Sequence, residues 1–275
     1  YHNHVKERAN DNIPPLPLNA EQTNIVIELL EKVDTSQSDY LVNLLTNRVP
    51  PGVDEAAYVK ASWLTALANG EKSCDFVSPI KAISLLGTMI GGYNVNSLVE
   101  ILKKEDKVTS KEAANVLKKI ILVYDAANDI FELSKNNQYA RQVIDSWAQA
   151  EWFTNKKSLP KEIKCLVFKV KGETNTDDLS PAVHATSRPD IPLHSLSMLE
   201  FKEETGLNIL EGLKSQNIQI AYVGDVVGTG SSRKSAINSL IWHIGEEIPF
   251  VPNKKTGGIV IGGKIAPIFF NTAQD

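Results

Sequence analysis

The sequence predicts two architectures in one chain, a solenoid of paired helices followed by an α/β domain, and three observations carry that reading. From Asn19 to about Phe153, apolar residues recur at three- and four-residue spacing with little sustained alternation. After Pro160 the texture changes to short runs rich in β-branched residues, set between glycine-rich turns. The length, 275 residues, suggests two domains at roughly 150 residues each.

Taken in order, the helical spacing predicts helices near 20–33, 37–47, 54–69, 79–90, 95–103, 109–122, 125–135 and 138–153. Pro50-Pro51-Gly52 breaks the chain before Asp54, Ser78 can cap a helix that opens with Pro79, and Gly91-Gly92 is expected to close that helix. The tryptophans Trp63, Trp147, Trp152 and Trp242 fall at positions expected to face a core. No strict repeat is visible, so the helices are read as an irregular solenoid, an architecture that usually offers a surface to partners. Beyond a boundary expected between Asn155 and Ile163, strands are predicted at Ile163–Val170, Ile218–Val223 and Gly258–Ile261, with a helix at about 233–244.

Composition excludes several function classes. With 42% hydrophobic and 23% charged residues the chain reads as an ordinary globular protein. A formal net charge of -4 lacks the broad positive field of a dedicated nucleic-acid binder. Cys74 and Cys165 have no CxxC or Cys/His spacing, so neither a disulfide framework nor a metal motif is expected. No apolar run approaches the roughly 18 residues that span a bilayer, and the start is polar, so no membrane association and a cytoplasmic location are expected. The chain stops just after an apolar segment that looks unfinished, and a trimmed piece of a longer protein is expected.

The densest chemical signal is Gly224-Asp225-Val226-Val227-Gly228-Thr229-Gly230-Ser231-Ser232-Arg233, a glycine-rich turn between a predicted strand and a predicted helix. Such a turn lets backbone approach a ligand closely, and the following helix offers unpaired N–H groups and its positive end, which suits an anion. An arginine can grip a carboxylate bidentately and a serine can donate or abstract a proton. The alternative at this point is a structural turn with serine as the cap and Arg233 solvated. A P-loop needs glycine directly before Lys-Ser, where Arg233 stands, and GxGxxG lacks its last glycine, so neither ATP nor NAD is favoured.

Two further stretches stand out. Gly172 to Pro181 places Asp177 and Asp178 among hydroxyl residues, for which turn and cap chemistry is the default reading over a cation site. Ser187-Arg188-Pro189-Asp190 presents one arginine on a proline-stiffened loop, either for a second carboxylate or as a surface residue paired with Asp190. The histidines His2, His4, His184, His194 and His243 form no ligand spacing and read as structural or exposed.

Together, Thr176-Asp177-Asp178-Leu179-Ser180-Pro181, Ser187-Arg188-Pro189-Asp190 and Gly228-Thr229-Gly230-Ser231-Ser232-Arg233-Lys234-Ser235 resemble the swivelling domain of aconitases. Upstream, the stretch Leu44–Tyr58 and the stretch Leu86–Asn94 look like the helical domain of the B-type enzyme, aconitate hydratase 2. The resemblance implies a HEAT-like helical domain over 1–158 and a swivelling domain over 159–275, truncated at its C-terminus. It implies reversible isomerisation of citrate and isocitrate through cis-aconitate, and in some members hydration of 2-methyl-cis-aconitate, with a [4Fe-4S] cluster as Lewis acid. By the resemblance Ser231 is the base that removes the substrate's α-proton, Ser232 and Arg233 bind a carboxylate, and Arg188 holds substrate as well. The family's cluster cysteines belong to later domains, so this chain is expected to bind no metal and to be inactive alone.

The competing expectation is an interaction module, with the helical domain mediating a homodimer or the messenger-RNA binding that apo-aconitases of this family show. For RNA the sequence offers only modest basic pairs, Lys103-Lys104, Lys118-Lys119 and Lys156-Lys157, which are commonly solvated helix faces.

Overall fold

A computed structural model describes residues 1–32, 35–104, 106–155, 158 and 160–274. By contact the chain divides into two units, one of residues 17–159 with 250–252 and the other of residues 1–16, 160–249 and 253–275. Tyr1–Leu16, which the sequence reading assigns to the helical part, therefore belongs by contact with the α/β part. Leu159, at the expected boundary, lies outside the described residues.

After α1 (His2–Ala9), the helical unit runs through α2 (Ala20–Lys32), α3 (Ser38–Asn47), α4 (Glu55–Asn69), α5 (Pro79–Leu86), α6 (Val95–Lys103), α7 (Lys107–Leu117), α8 (Ala126–Leu133), α9 (Gln138–Ala148) and α10 (Glu151–Thr154). Each predicted helix is present, although Val33 lies outside the described residues. The even-numbered helices α2, α4, α6 and α8 contact one another in sequence, as do α5, α7 and α9, so successive hairpins stack in two rows. That is the arrangement of a solenoid, in which each pair buries its apolar stripe only against its neighbours.

Local chemistry fixes the breaks. Ser78 accepts from the Lys81 amide at 3.2 Å with Pro79 at the first helical position, as the sequence suggests. Asp106 and Asn137 cap α7 and α9 in the same way. The helix expected over 79–90 closes earlier, after Leu86, and buried Asn94 donates to the Leu86 and Met89 carbonyls at 2.7 and 3.1 Å. The helix expected over 138–153 is cut at Ala150, which adopts φ 51°, so α9 and α10 are separate. Trp63 and Trp242 are buried, whereas Trp152, on the single-turn α10, is 46% exposed.

Gly91 does not close α5. A Cβ at Gly91 would stand 2.0 Å from the Gly52 carbonyl oxygen, because Ile90 N–H donates to the Pro51 carbonyl at 2.9 Å and draws the two loops together. Tyr93 seals the junction, donating its hydroxyl to the Val53 carbonyl at 3.1 Å and meeting Tyr58 edge-on at 5.4 Å between centroids. In α4 Lys60 is fully buried, donating to the Thr46 carbonyl at 3.3 Å, and burial pushes its pKa down to about 8.

In the second unit β1 (Leu166–Asn175), β2 (Ile220–Thr229) and β5 (Ile259–Ile265) form a parallel sheet in the order β1-β2-β5, with β3 (Glu246–Glu247) and β4 (Lys255–Thr256) as a small antiparallel pair. Each strand starts later than predicted, β1 at Leu166 and not Ile163, and runs past its predicted end through glycine-containing segments, since β-branched runs mark only the first half of each strand. Between β1 and β2 lie α11 (Thr176–Leu179), α12 (Ile191–Ser195) and α13 (Gly206–Lys214); α14 (Arg233–Ile244) and α15 (Pro267–Gln274) follow β2 and β5. The core joins Phe168, Val170, Tyr222 and Val227 of the sheet to Leu240 and Ile244 of α14, with Leu210 and Phe269 beside them. Inside it His243 accepts from the Lys214 ammonium at 3.1 Å through Nδ1 and donates from Nε2 to the Ser195 carbonyl at 2.9 Å. Burial first, and the Lys214 charge second, push its pKa down to about 4.

Two expectations arise from these contacts. Gly91→Ala should lower stability by about 2 kcal/mol, the scale of an overpacked contact that backbone must relieve. An unchanged thermal midpoint would show that the two loops part freely. The neutral His243 ring contributes stability fully above its unfolded value of 6.5, and this is lost as pH falls toward about 4, because over that window the unfolded chain takes a proton the folded one refuses. Resistance to urea should therefore fall as pH drops across that range, and His243→Gln should flatten the slope; an equally steep slope in the variant would exclude the ring as its source.

Candidate active site

The site begins with where two strands stop. Neighbouring β1 and β2 run parallel and end side by side, with Asn175 opposite Thr229. Both signature stretches therefore leave the sheet at its carboxyl edge, where ligands of open α/β sheets bind. Asn175 accepts from Asp178 N–H and Asp178 accepts from Asn175 N–H, each at 2.8 Å, a capping box that turns the chain into α11. Asp177 accepts from Ala182 N–H at 3.3 Å. The paired acids thus do turn and cap chemistry, as their composition suggests.

After Thr229 the glycine-rich turn is pressed against its surroundings. Gly228 and Gly230 have φ of 80° and 107°. A Cβ would fall 2.1 Å from the Phe269 ring at Gly228 and 2.4 Å from Thr176 Oγ1 at Gly230. Only glycine satisfies both the backbone angle and the space, so Gly230 binds the turn to the start of α11. The twelve-residue α14 then opens at Arg233 with no acid in its first turn and no side-chain cap from Ser232. Its terminal N–H groups and dipole favour an anion.

Arg188 lies on the loop before α12, with both backbone polar groups fixed. Its N–H donates to the His184 carbonyl at 2.9 Å, and its carbonyl accepts from His194 Nδ1 at 3.1 Å. That bond leaves His194 Nε2 to accept from buried Ser180 Oγ at 2.9 Å. The expected alternative partner of Arg188, Asp190, is engaged elsewhere: Arg8 of α1 binds it through two hydrogen bonds of 2.6 and 3.0 Å. No partner for the Arg188 guanidinium is found among the described residues.

These elements enclose a cleft of about 340 Å³ lined by Ser180, Arg188, His194, Ser232, Ser235 and Asn238 among others. Of the four residues expected to form the site, the structure brings Arg188 and Ser232 together in this cleft. Ser231 and Arg233 adjoin it on the same turn without lining it; Ser231 is exposed, and Arg233 Nη1 donates to the Ser231 carbonyl at 3.3 Å. A guanidinium, serine hydroxyls, a helix N-terminus and an imidazole around one concave space can hold a small polyanion and place a hydroxyl against it.

Sequence reasoning set His194 aside, although Asp190 as N-cap with Pro192 in the first turn predicts a short helix that could carry it inward. Arg8 left no signal, because its partner is 182 positions away. Among the described residues no three His, Cys, Asp or Glu side chains gather to hold a metal. Cys74 and Cys165 belong to different units, so the donors present do not fit an iron–sulfur cluster. No described helix is long and apolar enough to cross a membrane. Of the basic pairs, Lys103 is bound to Glu100 at 2.6 Å and Lys104 to Asn69 at 2.8 Å, while Lys156 and Lys157 lie outside the described residues.

Comparison with known proteins agrees with both halves of the chain. Residues 1–153 match the aconitate B N-terminal domain and residues 165–275 the aconitate hydratase 2 N-terminus. Aconitate hydratase B of Synechocystis sp. is 60% identical over 275 residues, covering 100% of this chain and 32% of the relative. The proteins of the same name from Helicobacter pylori and Escherichia coli are 52% and 51% identical, again over 100% of this chain and over 32% and 33% of their own lengths. The chain thus spans about a third of the curated relatives it matches, and at this identity over its whole length it belongs to the aconitate hydratase B family.

Proposed function

We propose that this chain is the substrate-contacting N-terminal part of a cytoplasmic aconitate hydratase, which interconverts citrate and isocitrate through cis-aconitate and can extend to 2-methyl-cis-aconitate. The observation that supports it most directly is the meeting of Arg188 and Ser232 in one cleft at the carboxyl edge of the parallel sheet. In this reading residues 1–158 are the family's HEAT-like segment, of which Tyr1–Leu16 groups by contact with the α/β unit, and residues 159–275 are the swivelling domain. The [4Fe-4S] cluster is ligated outside this chain, and the chain alone is inactive.

A tricarboxylate needs fixed positive charge at two separated ends. Arg188 takes one carboxylate, and Arg233 with Ser232 takes another at the N-terminus of α14. The proton to be removed lies on carbon beside a carboxylate, so negative charge grows on that carboxylate as the C–H bond breaks, and a preformed guanidinium and helix dipole stabilise it without reorganising. Ser231 is the base. A serine hydroxyl ionises only in a positive field, and Arg233, bonded to the carbonyl of Ser231 itself, brings a positive charge to that residue.

The helical unit supports a second reading, a homodimer or regulatory contact. Ile90, Ile121 and Leu122, between 46% and 71% exposed, border one groove together with Lys119. Messenger-RNA binding in an apo form would instead need a basic surface, and this groove presents one lysine.

In the full-length enzyme with a normal iron content, Ser231→Ala should lower kcat roughly 10³-fold, the range of a lost proton-transfer group. Arg233→Lys should cost about 10- to 100-fold in kcat/KM through loss of the bidentate grip. Near-normal turnover in both variants would mean that the glycine-rich turn is structural, and activity in the isolated chain would refute a cluster supplied from elsewhere. Sedimentation of the chain at high concentration should show dimers that Leu122→Glu disperses; a monomer throughout would remove the homodimer.

A further inference from the structure

Arg8 and Asp190 form the most closely held ion pair described in the α/β unit, with side chains only 9% and 19% exposed. Arg8 Nη2 lies 2.6 Å from Oδ1 and Nη1 3.0 Å from Oδ2, so one guanidinium uses both carboxylate oxygens, while its Nε donates to the Pro14 carbonyl at 2.9 Å. Asp190 stands two positions after Arg188 and borders the same cleft. Left unpaired, its carboxylate would act twice against an anionic ligand. As a carboxylate two residues along the chain on the same cleft, it would offer the Arg188 guanidinium an acceptor, and its own charge would repel the ligand. Backbone bonds to His184 and His194 fix the main chain of Arg188, so its side chain always starts from a point two residues from such a rival.

We propose that Arg8 is a positioning residue for substrate binding: by neutralising Asp190 it keeps the Arg188 guanidinium open to a carboxylate of the ligand. The segment Tyr1–Leu16, which groups by contact with the α/β unit, then has a chemical task beyond covering that unit. The inference rests on the reading that Arg188 holds substrate.

The test is a cycle of variants in the full-length enzyme, with KM and kcat for isocitrate read separately and thermal midpoints as the folding control. Arg8→Ala should raise KM about tenfold, the worth of one charge-assisted hydrogen bond, with kcat held within about twofold. Arg8→Gln carries the same test where Arg8→Ala does not fold. Asparagine caps a helix as well as aspartate does, so Asp190→Asn breaks the same pair without uncapping α12. Adding Asp190→Asn to Arg8→Ala removes the rival carboxylate, and KM should return most of the way to normal. If Arg8 is only a strut, Asp190→Asn alone damages binding as much as Arg8→Ala and the double variant is no better; that result overturns the proposal. Arg188→Ala separates the two readings. A raised KM there with a normal KM in Arg8→Ala ends this inference alone, whereas a normal KM in Arg188→Ala ends the substrate role of Arg188 and this inference with it.

Discussion

The lack of room for a Cβ at Gly228 and Gly230 is the constraint on which the α/β unit's chemistry depends. Phe269 of α15 fills the space at the first glycine and Thr176 of α11 the space at the second. These contacts press the end of β2 against the end of β1, so the loops leaving two parallel strands become walls of one cleft. Any side chain at Gly230 would push the turn from α11 and carry Ser231, Ser232 and Arg233 with it. The hydroxyls and the arginine are thus placed by what is absent from their neighbours.

Charge in this unit is managed by pairing before it is put to use. His243 is kept neutral in the core, with each ring nitrogen satisfied. Asp190 is occupied by an arginine from a distant segment. Among the described residues Arg188 is held through its backbone alone. A buried or half-buried charge without a partner is costly, and one that persists in a cleft is held there by the surrounding fold. The same logic applies within the helical unit, where the Lys60 ammonium has one carbonyl as partner and its pKa falls accordingly.

The helical unit shows a related use of missing side chains at a different scale. Gly91 admits the Gly52 carbonyl, and Tyr93 locks the two loops with a hydroxyl bond and an aromatic contact. Two stretches far apart in sequence, Leu44–Tyr58 and Leu86–Asn94, become one structural knot. Their distinctive residues, Pro51, Gly52, Gly91 and Tyr93, are those that the junction needs.

The sequence by itself determined what local physics controls. Three- and four-residue spacing specified the helices, β-branched runs the first halves of the strands, and Ser78-Pro79 the opening of α5. The glycine pattern between strand and helix, with two serines and an arginine, marked the turn that borders the cleft. Tertiary structure decided everything that depended on residues distant in the chain. Gly91 serves a loop junction and not a helix end; Ala150 cuts a helix that periodicity would continue; His194 turns inward on a helix of five residues. Asp190 chose Arg8 over Arg188, because a bidentate guanidinium arriving from 182 positions away satisfies both its oxygens. Spacing reports which neighbours a residue can have along the chain, and folding alone decides which partner a charged group finds across it.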